Sequence, residues 1–364
     1  MGVLRFFASV IRVLHANPQD ATDVGLDEIA ANAKRFSYIG NRKTLNSLVR
    51  QEADELLQRL CTIPEKRLEA LKDTEPALVE MVRAIKSKTS RQVFDVANAW
   101  FGSQWEKDSG VFPDFLLALD DTATFGNGAL LELKASKGDS IASFNSTIPT
   151  RFKSLRDVRH ISGKNLVPNA ARLYDFPLSA NAEYLSAERP CFYLVRTQAK
   201  NDDKVKISLV EGSFFETLPK EELLARVWEQ ILEAGGVTAA DRSHIVELLA
   251  SLEQKEIART REIERASIKP RLRLMAEVHP DALLHSYAEI KPRTANLVIK
   301  RERGFDETWL QREFAKEGLQ TEVVVDDSAK FLLLAEGESK IKVRYFVILH
   351  KRNGEHIVLQ YNLR

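Results

Sequence analysis

The sequence predicts an α+β protein with a mixed central β-sheet flanked by helices, an α/β/α-like core with a helical lobe before it and a mixed region after it. Apolar residues recur at three- and four-residue steps through most of the first hundred residues, the helical period. From about residue 111 short strand-like runs appear, bounded by Gly and Asn. At 364 residues the chain is long for a single core, so lobes are expected at 1–75 (helical), 76–235 (the central core) and 236–364 (helical and β).

The first segment, Met1 to His15, is apolar but interrupted by Arg5 and Arg12. It lacks the clean apolar core and cleavage site of a signal peptide. Leu45 to Leu60 carries an amphipathic helical pattern. Thr74-Glu75-Pro76 predicts another helix, with Thr74 as its cap and proline in the first turn. A third is expected from Arg91 to Phe101, apolar at Val93, Val96, Ala97 and Trp100, with a break between Gly102 and Gly110.

Val111 to Leu119 and Gly128 to Ala135 read as strands joined across Gly126-Asn127-Gly128, a strong turn signal. Cys191 to Arg196 and Val205 to Val210 form a second pair around Asn201-Asp202-Asp203. Helix returns from Pro219 to about Glu233 and from Ala239 to about Arg265. Phe331 to Glu336, Lys340 to His350 and His356 to Leu363 predict an antiparallel meander whose last turn is Asn353-Gly354.

Composition is that of a soluble globular protein, 44% hydrophobic and 29% charged. Lys plus Arg is 53 against 52 for Asp plus Glu, so attraction for a polyanion must come from local charge segregation. No run reaches the ~18 apolar residues of a membrane span, and a cytoplasmic protein is expected. Cys61 and Cys191 are isolated, which argues against a zinc or disulfide framework and for reduced, buried thiols. The seven histidines form no HxxxH or HExxH arrangement, and neither a P-loop nor GxGxxG occurs, so no nucleotide cofactor is expected.

The chemistry-bearing stretch is Phe112-Pro113-Asp114-Phe115 followed by Leu131-Glu132-Leu133-Lys134. Strand side chains alternate, so Glu132 and Lys134 share one face and Leu131 and Leu133 the other. If the two strands form a hairpin, Asp114 sits beside Glu132. A divalent cation relieves the repulsion of such carboxylates, and hard Mg²⁺ prefers oxygen ligands. Asp114 and Glu132 are then the metal ligands, with the Leu133 carbonyl a candidate third. Lys134 would orient a water or neutralise a phosphate oxygen, which suits phosphodiester hydrolysis. The same alternation describes an ordinary half-buried edge strand, so the short pattern alone does not decide. A second copy of the letters, Pro280-Asp281 with Glu289-Ile290-Lys291, leaves too few intervening residues for two paired strands and reads as coincidence.

The sequel is more specific. Lys134-Ala135-Ser136-Lys137-Gly138-Asp139 leads into Phe144-Asn145-Ser146-Thr147-Ile148-Pro149. This resembles type II restriction endonucleases of the PD-(D/E)xK superfamily, in which a polar turn and an F-N-[DS]-[ST]-x-P-like segment often follow the ExK strand. Cys191 to Val210, ending in Glu211-Gly212-Ser213-Phe214-Phe215, also looks like their later strands. The resemblance covers about residues 90–220 and implies a restriction-endonuclease-like fold. It further implies Asp114, Glu132 and Lys134 as catalytic residues, Mg²⁺ as cofactor, double-stranded DNA as substrate and a homodimer. An upstream helical glutamate, Glu80 or Glu52, would complete the pattern in many members.

From Lys134 to Arg172 there are eight Lys or Arg against two acids. Lys137, Arg151, Lys153 and Arg156 are the candidate phosphate contacts, with Ser143, Asn145, Ser146 and Thr147 as hydrogen-bonding partners. A solvated basic face is the plainer reading of such a run. The expectation is thus a sequence-specific, Mg²⁺-dependent DNA endonuclease. The alternatives are a structure-specific, repair or phage-defence nuclease, and a non-catalytic DNA-binding protein.

Overall fold

The computed structural model describes residues 2–33, 39–41, 62–74, 76–86, 113–117, 125–136, 143–145, 149–154, 187–198, 204–218, 220–250, 275–278, 282–336 and 339–363. Its helices are α1 (Val3–Ala16), α2 (Asp20–Asp23), α3 (Leu26–Ala33), α4 (Glu65–Leu71), α5 (Pro76–Lys86), α6 (Lys220–Ala234), α7 (Ala239–Ala250) and α8 (Glu307–Lys316). Its strands are β1 (Ile39–Asn41), β2 (Phe115–Leu117), β3 (Leu130–Ser136), β4 (Ser143–Asn145), β5 (Phe152–Lys153), β6 (Arg189–Thr197), β7 (Lys206–Glu211), β8 (Met275–Glu277), β9 (Thr294–Lys300), β10 (Thr321–Asp326), β11 (Ala329–Glu336), β12 (Ser339–His350) and β13 (Gly354–Asn362).

One mixed sheet runs β1-β2-β3-β6-β7-β9-β13-β12-β11-β10, with β5 added against β6. The pairs β3/β6 and β7/β9 are parallel and the other neighbours antiparallel. Strands β4 and β8 form a separate two-stranded ribbon. The α+β class with a mixed sheet flanked by helices is therefore the architecture of the chain. The boundary expected at 235/236 falls in the turn of the α6–α7 hairpin, at Gly235-Gly236, and the sheet continues on both sides of it through β7/β9.

The central strands read as continuous apolar runs because both their faces are covered. On one face Leu131, Phe192, Leu194, Ile207, Leu209, Leu297 and Leu359 pack with α1, α3 and α8. On the other, Leu130, Tyr193, Val195, Val210, Val298 and Val358 pack with Phe214, Leu284 and Ile290. The terminal meander and its turn at Lys351 to Asn353 stand as expected. Helix α5 starts at Pro76, but the Thr74 hydroxyl turns back to the Leu71 carbonyl at 3.4 Å. The helices expected at 45–60 and 91–101 lie outside the described residues. Cys191 is free and buried, and burial pushes its thiol up to about 12. No described helix is long and apolar enough to cross a membrane.

The apolar N-terminal segment is a core helix. Almost every side of α1 is buried, from Val3 to Leu14. Its first turn is held by Glu317, the residue that follows α8, whose Oε2 accepts the Arg5 amide at 3.0 Å. A carboxylate here suits the orphan amides and positive end of a helix. Gly2 keeps the approach open, since a Cβ there would lie 1.9 Å from Glu317 Oε1.

Burial nevertheless dominates and raises the Glu317 carboxyl to about 7, against the Arg5 and Gly2 amides that favour the anion. A carboxyl raised in this way contributes stability that is complete below pH 4.5 and is lost as pH rises through about 7. Glu317→Gln should therefore be more stable than wild type by up to about 3 kcal/mol at about pH 8, with the gap closing at about pH 5. Urea unfolding at the two pH values measures this, and a gap that does not change with pH would sink the assignment.

Candidate active site

Strand β3 emerges from the core as it runs. Leu130 is buried against one face and Leu131 against the other. Glu132 is 9% exposed, Leu133 and Lys134 are half-buried, and Ala135 is exposed. The register with β2, Phe115↔Leu131 and Leu116↔Leu130, aligns Asp114 with Glu132 one step beyond the last paired residues. The expected turn directly precedes β3, with Gly126 and Gly128 at φ of 72° and 68°.

Asp114 Oδ2 accepts the Leu133 amide at 2.9 Å, and Lys134 Nζ donates to Glu132 Oε1 at 2.7 Å. The structure thus brings Asp114, Glu132, Leu133 and Lys134 together at the open end of the β2–β3 hairpin. Amide and carbonyl of one strand residue point to the same edge. The Leu133 carbonyl therefore faces the edge where Asp114 lies, past the end of β2.

Tyr193 is a neighbour the sequence did not point to. The parallel register Glu132↔Tyr193 sets it beside the carboxylate, with its ring edge-on to Phe215 at 5.7 Å. Burial, then Cys191 and Glu132, raise its phenol well above the ordinary value. Further along the same face, His285 holds Thr197 Oγ1 at 2.5 Å through Nδ1 and Ser208 Oγ at 3.1 Å through Nε2. Burial, reinforced by Lys206, lowers His285 to about 3 and keeps it neutral. Comparison with family models, with curated proteins and with solved structures returns no match.

The residues expected to contact DNA have separate fates. Arg151 donates to the buried Glu211 at 2.9 Å and is also paired with Glu302, so its charge is already met. Lys153 lies half-buried on β5. Ser143 and Asn145 are in β4, aligned with Glu277 and Met275 of β8. Lys137, Ser146, Thr147 and Arg156 lie outside the described residues, as does Glu52. Glu80 is exposed on α5. Glu289-Ile290-Lys291 lies in turns, not on a strand, which fits the reading of that second motif as coincidence.

Among the described residues no group of three or more His, Cys, Asp and Glu stands ready for a metal ion. Asp114 and Glu132 nonetheless offer hard oxygens at aligned positions, with the Leu133 carbonyl at the same edge. Mg²⁺ is commonly held by one or two carboxylates and keeps several waters, so this donor set fits it.

Glu132 and Lys134 are coupled charges in a part-buried setting, with side chains 11% and 24% exposed. Removing only the ammonium strands the carboxylate. Lys134→Met should lower the unfolding free energy by about 1–3 kcal/mol, and adding Glu132→Gln should recover most of it. Strict additivity in this double-mutant cycle would mean that the pair does not interact.

Proposed function

We propose that the chain is a Mg²⁺-dependent DNA endonuclease of the PD-(D/E)xK type, cutting double-stranded DNA at a defined sequence in the manner of type II restriction enzymes and working as a homodimer. The observation that carries this reading is the convergence of Asp114, Glu132 and Lys134 at the open end of one hairpin. The sequence resemblance of residues 90–220 adds to it.

In this mechanism Asp114, Glu132 and the Leu133 carbonyl hold the ion, which when bound supplies Lewis-acid polarisation of the scissile phosphate. The Leu133 amide orients the Asp114 carboxylate. Lys134 is carried by the adjacent Glu132 and presents a fixed positive charge where negative charge grows on the phosphate. Tyr193, buried behind Glu132, keeps water from that side of the carboxylate. Arg151 serves the fold, locking β5 to β7 through Glu211. Phosphate contacts fall instead to Lys153 on β5 and to the basic residues near it in sequence, Lys137 and Arg156.

Plasmid DNA incubated with Mg²⁺ should give discrete fragments with wild type. Asp114→Ala and Lys134→Ala should each slow cleavage by about 10²–10³-fold. Smeared products would favour a nuclease without a fixed site. DNA retention with no cleavage, in Mg²⁺ or Mn²⁺ and on methylated or unmethylated DNA, would leave a binding protein.

A further inference from the structure

The far edge of the sheet is β10, Thr321-Glu322-Val323-Val324-Val325-Asp326. Its inner side pairs with β11 through a two-residue turn, Asp327-Ser328, in which both residues have positive φ, 47° and 64°. Such turns match the natural twist of a hairpin and hold the strand straight beside its neighbour.

The bonding parity of the strand can be read directly. The Ala335 amide donates to the Gln320 carbonyl at 3.1 Å, so 320 and 335 form a hydrogen-bonded pair. Bonded and non-bonded pairs alternate in an antiparallel ladder. Glu322, Val324 and Asp326 therefore face β11 with their backbone groups, and Thr321, Val323 and Val325 face outward. Gln311 Nε2 reaches the outward Thr321 carbonyl at 3.3 Å, as this parity requires. Among the described residues none takes up the outward amides and carbonyls of Val323 and Val325.

Edge strands usually carry a device against pairing: a proline, an inward charge or a lysine. Strand β10 contains no proline or lysine. Its two acids are neutralised from β12, Glu322 by Lys340 and Asp326 by Lys342, each at 2.6 Å. Val325 is 66% exposed beside this open backbone.

We infer that β10 is a self-pairing edge, through which two copies of the chain join antiparallel about a twofold axis at Val323. Outward parity pairs odd-numbered residues with odd-numbered ones, and of the twofold registers it allows the one about Val323 overlaps the whole strand, with Val323 opposite its own counterpart and Thr321 opposite Val325. Val325 and Val323 of both copies then form one apolar strip. Glu322 faces Val324 and Asp326 faces Gln320, so no like charges oppose each other. This self-complementarity is what selects a second copy over a foreign strand. A pairing of two short strands is a small interface, so the dimer is concentration-dependent. It gives the homodimer of the proposed function a surface but does not rest on the nuclease reading, because association is measured whether or not DNA is cut.

Sedimentation velocity should show wild type passing from monomer to dimer as concentration rises through the micromolar range. Val325→Pro removes an outward amide without touching the β10–β11 ladder. It should stay monomeric at those concentrations, with an unchanged circular dichroism spectrum. Val325→Lys, which keeps the amide but sets two like charges in the apolar strip, serves if the proline variant fails to fold. Val323→Cys should cross-link to its own copy on oxidation, since such a pair brings the Cα atoms to about 5.5 Å. A wild type that is monomeric throughout, or a Val325→Lys variant that dimerises like wild type, overturns the inference.

Discussion

The register of β3 is the constraint on which the candidate site depends. Leu131 and Leu133 belong to one core face and Leu130 to the other, and Glu132 and Lys134 point to the side of Leu130. A slip of one residue would turn Glu132 and Lys134 into the layer of α1 and α3 and send two leucines to the opposite face. Apolar packing thus sets the direction of the charged side chains before any electrostatic term acts. The same register carries Asp114 to Glu132, because β2 ends as its partner begins to emerge from the core.

The electrostatics follow from depth. Glu132 is almost fully covered, and its nearest cation is two residues along its own strand, so the pair needs no long-range accident to form. Arg151 is the contrary case. Its local sequence places it in a basic run, yet two carboxylates distant in sequence, Glu211 and Glu302, claim it. A cation engaged by two acids has lost most of its attraction for a phosphate. Of this basic run, Arg151 is thus spent on the fold.

This difference marks what the sequence makes legible. The β2–β3 hairpin and the terminal meander were readable because their partners are adjacent and their turns carry glycine or Asn-Gly. The alternation that pairs Glu132 with Lys134 was readable for the same local reason. Tyr193 and the Arg151 ion pairs were not, since parallel pairing and distant carboxylates leave no local periodicity. The core role of α1 was hidden too: Arg5 and Arg12 break its apolar run in the sequence, yet they mark only a narrow exposed stripe on a helix buried on its other sides. Strand β10 lacks clean alternation: Val323 and Val324 are both half-buried and Val325 and Asp326 both exposed.

The parallel pairing of β7 with β9 raises the question of how the two find one register without a tight turn to set it. A buried polar row answers it. Val195, Ser208, Asn296 and Gln360 lie in line across four strands. Asn296 Nδ2 donates to Ser208 Oγ at 3.2 Å, Gln360 Nε2 donates to Asn296 Oδ1 at 3.1 Å, and His285 closes the row at Ser208. Sliding β9 by one residue would push the Asn296 amide among the leucines of the other face and leave it unbonded, a cost of about 1–3 kcal/mol for each stranded group. Apolar neighbours such as Leu297 and Val298 tolerate exchange far more readily, so they cannot by themselves choose the alignment. The polar row ties the C-terminal strands to β6, and β6 in turn sets Tyr193 beside Glu132. The far half of the chain therefore bears on the candidate site through register.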